Sequence, residues 1–356
     1  MLSAKDIESG KILIPQDCRR ISIEDYNSIF KNYNLKINDI LLTIVGTIGR
    51  VAMVDNLTNK YALQRSVAII RVNSLNHPLF IFYLLQTNNI KKQYYSKMNQ
   101  SAQGGIYLDS LNKLSFKNTI LSEQEKIAKF LSIVDKRIKK QRQLVESLKK
   151  YKRGLLSAIF EQKHRFKDDN GNDYPEWRKI PLGSIFVERV EKAIGNEELL
   201  SVTINEGIKK RNTIDIKDNS SEDKSHYKKV YKDDIAYNTM RMWQGASGVS
   251  KYNGMVSPAY TVISPKIDVN IDFWSYYLKY YKIIHLFQKF SQGLTSDTWN
   301  LKFPQFAEIK VFVPSKVEQG KLAEMLLTLD TSINIHQNYL EKQEQIKKSL
   351  LQQMFI

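Results

Sequence analysis

An internal duplication constrains the fold of this chain more than any other feature of its sequence. Residues Glu123–Ala128, with the sequence EQEKIA, return as EQGKLA at Glu318–Ala323, an offset of 195 residues. The same offset relates Asn38–Ile40 to Asp233–Ile235. Because similarity at one fixed spacing indicates one structural plan built twice, the sequence predicts two related units.

Each repeat ends in a segment whose apolar residues recur at steps of three and four, which predicts one long helix over 121–160 and another over 315–356. A stripe near every 3.5 residues is typical of a coiled-coil seam, and the two helices are expected to pair. The alternative is that each amphipathic helix packs on its own domain. The predicted seam comprises Leu131, Val134, Ile138, Gln141, Val145 and Leu148 in the first helix and Leu326, Leu329, Ile333, His336 and Leu340 in the second.

Two further features of the stripe carry expectations. Tyr151 and Ile346 continue it at the same 195-residue offset. Gln141 and His336 occupy one seam position in the two copies and are polar where the rest is apolar. A polar pair at that position is expected to set the register of the helices at some cost in stability.

The remaining sequence divides into two variable stretches and a linker. Turn-forming residues at Lys167–Pro175 separate the copies. Short apolar runs alternate with Gly and Asn turns in 1–120 and 180–314, which indicates mainly β domains with a helix near each end. The predicted α+β organisation is therefore domain 1–120, helix 121–160, linker 161–179, domain 180–314 and helix 315–356.

The charge balance favours a polyanionic partner. Lys and Arg number 54 against 37 Asp and Glu, a formal net charge of +17. The alternative is a soluble basic protein whose positive charge has no polyanionic partner. A single cysteine, Cys18, allows no intrachain disulfide, and neither a signal peptide nor a membrane span is visible, so a cytoplasmic protein without membrane contact is expected.

Clusters of basic, amide and aromatic residues in both stretches are candidates for DNA contact. The arginine fork can grip guanine and glutamine can pair with adenine, whereas lysine more often neutralises phosphate. The alternative for each residue is a solvated surface group. The candidates are Arg19, Arg20, Arg50, Lys60, Gln64 and Arg65 in the first stretch and Lys209, Lys210, Arg211, Tyr227, Lys228, Lys229, Arg241, Trp243, Gln244 and Lys251 in the second.

Arg241 and Gln244 are the preferred base-reading residues, because they follow a predicted strand in a loop that contains Trp and Gly. The first long helix is also more basic than the second. Its cationic residues are expected to lie near DNA or an acidic partner, or else to form a solvated face. They are Lys136, Arg137, Lys139, Lys140 and Arg142.

Catalytic motifs are missing from the sequence. The nearest match to an adenine-methyltransferase loop, Ser257–Tyr260, lacks the second proline, and no GxxxxGK[ST] motif is present. The five histidines are scattered singly, so no metal site is expected. A non-catalytic chain without its own cofactor is therefore predicted. The rivals are a stand-alone DNA-binding or architectural protein and an endonuclease, which would need an acidic metal cluster.

The linker GNDYPEW at Gly171–Trp177 and the two helices of EQEKIAKFLSIVDKRI type resemble the specificity subunits of type I restriction-modification systems. The resemblance covers the whole chain. It implies two target recognition domains, each reading half of a split double-stranded DNA site, and an antiparallel coiled coil formed by the two helices. It also implies two modification (methyltransferase) subunits that use S-adenosylmethionine, and restriction subunits that use ATP and Mg.

One departure from the family pattern concerns the start of the chain. The second domain has some twenty residues, from Glu176 onward, ahead of Leu200–Ser201, whereas the matching Leu2–Ser3 stands at the beginning. Either the true start of the first recognition domain lies upstream, which we expect, or the subunit is rearranged or shortened at its N-terminal end.

Overall fold

The computed structural model of the chain describes residues 1–14, 19–30, 34–57, 60–99, 104–195, 197–204, 207–214 and 223–355, so that Cys18 lies outside the described residues. The chain folds into two compact units. Unit 1 comprises Met1–Val145 and Ile335–Ile356, and unit 2 comprises Glu146–Asn334. Both long helices therefore contribute residues to both units.

Unit 1 is built around a three-stranded antiparallel sheet in the order β4-β3-β5. All four residues of the central strand, β3, are buried, because both faces of this apolar run are covered. Its strands are β1 (Ile7–Glu8), β2 (Lys11–Ile12), β3 (Ile40–Thr43), β4 (Val51–Met53) and β5 (Val67–Ile70), and its helices are α1 (Ile23–Phe30), α2 (Pro78–Leu84), α3 (Asn88–Ser96), α4 (Leu108–Leu111) and the first part of α5 (Leu121–Phe160).

Unit 2 repeats this plan with a four-stranded antiparallel sheet in the order β12-β11-β14-β7. Two-stranded pairs β6·β15, β8·β9 and β10·β13 accompany it. Its strands are β6 (Arg178–Pro181), β7 (Phe186–Glu188), β8 (Leu200–Thr203), β9 (Gly207–Lys210), β10 (Lys228–Val230), β11 (Ile235–Asn238), β12 (Ser247–Val249), β13 (Gly254–Val256), β14 (Tyr260–Pro265) and β15 (Lys310–Val313), and its helices are α6 (Ile271–Tyr277), α7 (Tyr281–Phe290), α8 (Phe303–Glu308) and the first part of α9 (Lys316–Gln353).

The same tight turn leads into the central strand of each unit. Asn38 and Asp233 both adopt the left-handed region at φ 71°, which short polar side chains tolerate better than most. The next residue, Asp39 or Asp234, accepts a hydrogen bond on its carboxylate from the backbone N–H three residues earlier, at 2.7 and 2.8 Å. The sequence match between Asn38–Ile40 and Asp233–Ile235 is therefore a turn in which an aspartate side chain accepts a hydrogen bond from the backbone three residues earlier.

An arginine completes each of these turns, but it comes from a different strand in each unit. In unit 2, Arg189 follows β7 and its Nε lies 2.7 Å from Oδ2 of the buried Asp234. In unit 1, Arg71 follows β5 and its Nε lies 2.8 Å from Oδ1 of Asp39. Both buried carboxylates are thus neutralised by a charge-assisted pair, through two unrelated positions of the sequence.

In unit 1 the helices α5 and α9 run antiparallel. Asp135 of α5 lies 2.6 Å from Nζ of Lys347, and its other oxygen accepts the Tyr83 hydroxyl at 2.9 Å. Further along α5, Gln141 Nε2 lies 3.1 Å from His336 Nδ1 and donates to the His336 carbonyl at 2.8 Å. The two polar seam residues therefore bond to each other.

Unit 2 contains the same ion pair with the helices exchanged. Asp330 of α9 lies 2.5 Å from Nζ of Lys152 on α5 and accepts the Tyr276 hydroxyl at 2.6 Å. Asp330 is the counterpart of Asp135, and Lys152 is the counterpart of Lys347, both at the offset of 195. Burial, and then the adjacent aspartate, raises the pKa of Tyr276 well above its ordinary value.

The predicted seam residues divide by burial. Tyr151 and Ile346 are 61% and 56% exposed, so the expectation that they continue the seam is wrong. Leu131, Ile138, Val145, Leu326, Ile333 and Leu340 are buried, and Val134, Gln141, Leu148, Leu329 and His336 are half-buried.

Candidate nucleic-acid interface

The loop between β11 and β12 presents the preferred base-reading residues of unit 2. Met242 begins a single 3-10 turn, is fully buried, and anchors this turn to the core. Gly245 closes the turn at φ 81°, a conformation that a side chain would strain. Arg241 is exposed and its Nη1 lies 3.3 Å from Oε1 of the half-buried Gln244, so both polar groups reach the same surface.

A second loop, residues 291–300, is joined to the first. The backbones of Gln292 and Asn300 pair at 3.0 and 2.8 Å, and the N–H of Leu301 donates to the Thr239 carbonyl at 2.9 Å. The ring of Trp299 meets Trp243 edge to face with centroids 5.2 Å apart. We call the surface formed by Arg241, Trp243, Gln244, Leu294 and Trp299 the tryptophan surface. It combines an arginine fork, an amide and two half-buried aromatic rings, groups that can contact the edges and faces of bases.

Sequence reasoning missed the second loop. Leu294 is fully exposed at its tip, and Gly293 adopts φ 142° beside it. The available signal was the run of turn-forming residues from Ser291 to Thr298, which is typical of a loop that carries function. Trp299 alone gave no such signal, because an isolated tryptophan is as often a core residue.

Three of the predicted DNA-contacting residues are already engaged within unit 2. Tyr227 is only 5% exposed and belongs to the interior. Lys228 lies 3.5 Å from Glu188 and donates to a carbonyl at 2.8 Å, and Lys229 lies within 3.5 Å of Glu191 and Glu197. These contacts tie strand β10 to its neighbours within unit 2, and the assignment of this cluster to DNA contact stays a prediction.

The other basic residues of unit 2 are more accessible. Lys210 bonds to Glu198 at 3.0 Å and covers the Tyr252 ring at 5.5 Å, while Lys209 and Arg211 flank it half-buried. Lys251 is exposed in the turn between β12 and β13. An exposed lysine in a turn suits a phosphate contact, because the contact requires charge rather than a fixed geometry.

In unit 1 the candidates fall into three places. Arg50 is half-buried in a cavity of about 350 Å³ that it shares with Lys91, Lys347 and Lys348. Gln64 and Arg65 line a second cavity beside β5. The remaining candidates, Arg19, Arg20 and Lys60, are exposed. The Nζ of Lys60 lies 5.7 Å from the centre of the Tyr26 ring.

A basic cluster in unit 1 joins the first hairpin to the long helix. Burial lowers the pKa of Lys11, and so do the positive charges of Lys139 and Arg142 on α5. Arg142 also pairs with Glu344. Three neighbouring positive charges attract anions, so the cluster is suited to a DNA phosphate. The sequence singled out the helical members but not Lys11.

Within the described residues, no group of three or more His, Cys, Asp or Glu is placed to hold a metal ion. None of the helices in that part of the chain is both long and apolar enough to cross a membrane.

Comparison with known proteins agrees with the duplicated architecture. The family model described as the type I restriction modification DNA specificity domain matches residues 3–150 and again residues 176–347. The chain therefore belongs to the type I restriction-modification DNA specificity family, and its subunit role is non-catalytic. This family membership favours a specificity subunit over a stand-alone architectural protein.

One relative and two solved structures are similar to most of this chain. A protein of Methanocaldococcus jannaschii that carries the name type I restriction enzyme MjaX specificity subunit is 26% identical over 340 residues, covering 90% of this chain and 78% of its own length. The type I S subunit from M. genitalium matches with TM-score 0.56 at 18% identity, over 100% of this chain and 92% of that one. The HsdS subunit from Thermoanaerobacter tengcongensis matches with TM-score 0.51 at 14% identity, over 99% and 88%. The predicted fold, two related α+β domains with paired long helices, is confirmed.

Proposed function

We propose that each unit of this specificity subunit reads one half of a split double-stranded DNA site. The observation that carries the proposal is the repetition of one plan with different exposed loops. Both units place a loop directly after the central strand, residues 44–50 in unit 1 and 239–246 in unit 2, and these loops differ in sequence whereas the helices remain similar. A repeated frame with divergent loops suits two different half-sites at a distance set by the helices.

The direct test is a genome-wide map of modified bases in cells that express this chain together with modification subunits. An asymmetric motif in two parts with an unread gap is expected, because the loops of the two units differ. A continuous or palindromic motif would contradict the proposal. We propose that S-adenosylmethionine, ATP and Mg are used by the partner subunits rather than by this chain.

Base reading and phosphate binding are expected to separate in unit 2. Arg241→Ala should relax one position of the motif, at a cost of about 1–3 kcal/mol for the correct base. Lys251→Ala should weaken binding to all sequences alike and reduce the salt dependence by about one phosphate contact. Competition binding at several salt concentrations measures both. Equal, sequence-independent losses for the two variants would remove Arg241 from the base-reading set.

We further propose that exposed apolar positions on the long helices dock two modification subunits. Leu144 and Tyr151 on α5 are 40% and 61% exposed, and their counterparts on α9, Tyr339 and Ile346, are 46% and 56% exposed. Large apolar side chains repeated at matching places on two helices are suited to two equivalent partners.

Charge placed at these positions should remove the partners one at a time. The double variant Leu144→Glu with Tyr151→Glu is expected to lose the subunit bound at α5 and to keep the other. The double variant Tyr339→Glu with Ile346→Glu is expected to lose the subunit bound at α9, and the variant with all four changes is expected to bind neither. Native mass spectrometry counts the bound subunits. Arg153→Glu, an exposed change on α5, is the control and should retain both. Full assembly of the fourfold variant would contradict the proposed docking positions.

A further inference from the structure

Among the described residues of unit 1, the outer edge of strand β5 is open. Among the described residues, β5 pairs with β3 and with no strand on its other side. In unit 2 the matching strand, β14, pairs on that side with β7, where Pro265 lies opposite Phe186 and Ile263 opposite Glu188. The two strands match because Ile70 pairs with the first residue of β3 as Ile263 pairs with the first residue of β11.

Apolar side chains near this edge are covered in unit 2 and uncovered in unit 1. Three residues of the segment from α8 to β15 are at most 2% exposed: Phe306, Ile309 and Val311. Their counterparts 195 positions earlier are half-buried or, for Phe116, 39% exposed: Leu111, Leu114 and Phe116. Among its described residues, unit 1 therefore lacks apolar contacts that unit 2 makes.

One short segment, residues 178–188, provides the cover in unit 2. Its strand β6 pairs with β15 along four residues. Leu182 donates its N–H to the Ile309 carbonyl at 2.9 Å and is fully buried. The Phe186 ring lies 5.0 Å from Trp274 and 6.4 Å from Phe306. At the place of β15, residues 115–118 of unit 1 form no strand.

A cavity of about 710 Å³ runs along the open edge. Its lining includes Val67, Ala68 and Ile69 of β5 together with Ile106 and Leu108. Its size and apolar lining suit several side chains of an added strand.

We propose that the outer edge of β5, with the apolar surface beside it, is a docking site for an extended segment of a second polypeptide that has the chemistry of residues 178–188. The occupant adds a strand to β5 and places side chains like Leu182 and Phe186 over Leu111 and Leu114. It needs no residue like Arg189, because Arg71 already neutralises the buried carboxylate of unit 1.

The backbone of Ile69 faces the occupant. Its counterpart in β14, Val262, accepts the N–H of Arg189 at 2.8 Å on the side away from β11. Since the N–H and C=O of one residue point to the same side of an antiparallel strand, Ile69→Pro removes a donor from the open edge and spares the ladder to β3.

The test uses the full chain and a fluorescent synthetic peptide with the sequence of residues 174–188. The peptide carries two basic and two acidic residues, so the +17 charge of the chain does not attract it. Saturable binding of one peptide per chain is expected, with slower amide hydrogen exchange in residues 65–72 and 108–118. Leu182→Asp with Phe186→Asp in the peptide, and Ile69→Pro in the chain, should each weaken binding at least tenfold. Failure to saturate, protection elsewhere, or indifference to the two aspartates would overturn the proposal.

A covalent version gives a second, independent measurement. A copy of residues 176–197 joined ahead of Met1 places the segment at high effective concentration beside β5. This graft should raise the unfolding temperature and protect residues 65–72 from exchange, whereas the graft with both aspartates should do neither. Equal behaviour of the two grafts would overturn the docking site even if the free peptide is too weak to detect.

Discussion

Replacing Trp274 with alanine is expected to cost about 3–5 kcal/mol of folding stability and to abolish recognition of the half-site read by unit 2. Trp274 is fully buried on α6 and packs against Phe186, Phe273 and Tyr277 with ring centroids 5.0–5.7 Å apart. Its removal opens a cavity beneath the sheet that carries the tryptophan surface. Urea denaturation and binding to separate half-sites measure the two effects.

Trp274→Phe is the matched control. The indole Nε1 is buried without a hydrogen-bond partner among the described residues, so phenylalanine keeps the aromatic packing and removes an unpaired N–H. Its expected cost is under about 1.5 kcal/mol. If alanine and phenylalanine cost the same, the unit would depend on the indole itself rather than on filled volume.

Lengthening both long helices by four residues is expected to lengthen the unread gap of the DNA motif by one base pair. The insertions go between Lys140 and Gln141 and between Ile335 and His336, which are counterpart positions. Four residues advance a helix by about 6 Å and turn it about 40° beyond one full turn. One DNA base pair advances about 3.4 Å and turns about 34–36°. The extra helix rotation of about 40° is therefore matched by the rotation of one added base pair in the gap.

The control inserts two residues at each place. Two residues turn the helix by about 200°, so the half-sites no longer face their units and modification should be lost although the chain folds. Mapping modified bases for both variants decides the matter. A four-residue variant that stays active with the original gap would show that the helices do not set the spacing.

The repeat and the helices were predictable because they depend on local periodicity. Asp135 and Asp330 were recognisable as counterparts from spacing alone. In the structure, each of them bonds to one tyrosine and one lysine of its own unit. Gln141 and His336 were marked by polarity within an apolar stripe. Patterns of this kind can be interpreted without knowledge of the tertiary fold, because the 3.6-residue periodicity of a helix already specifies which side chains share a face.

The contacts of the basic clusters were not predictable in the same way. Lys228 and Lys229 look like free cations in the sequence, yet their acidic partners come from Glu188 and Glu191, some forty residues earlier. Trp299 joins Trp243 only because a backbone pair folds the second loop back. Long-range strand pairing made both arrangements, and no local pattern reports it.

The exchanged ion pairs of the long helices have a consequence for the ancestry of the chain. Asp135 bonds Lys347 in unit 1 and Lys152 bonds Asp330 in unit 2, so each copy of the helix carries both the acid and the base of one self-complementary surface. A surface that binds its own copy in this reciprocal manner is the interface of a two-fold symmetric homodimer. The duplicated sequence and this reciprocal contact together indicate descent from one helix that paired with its own copy.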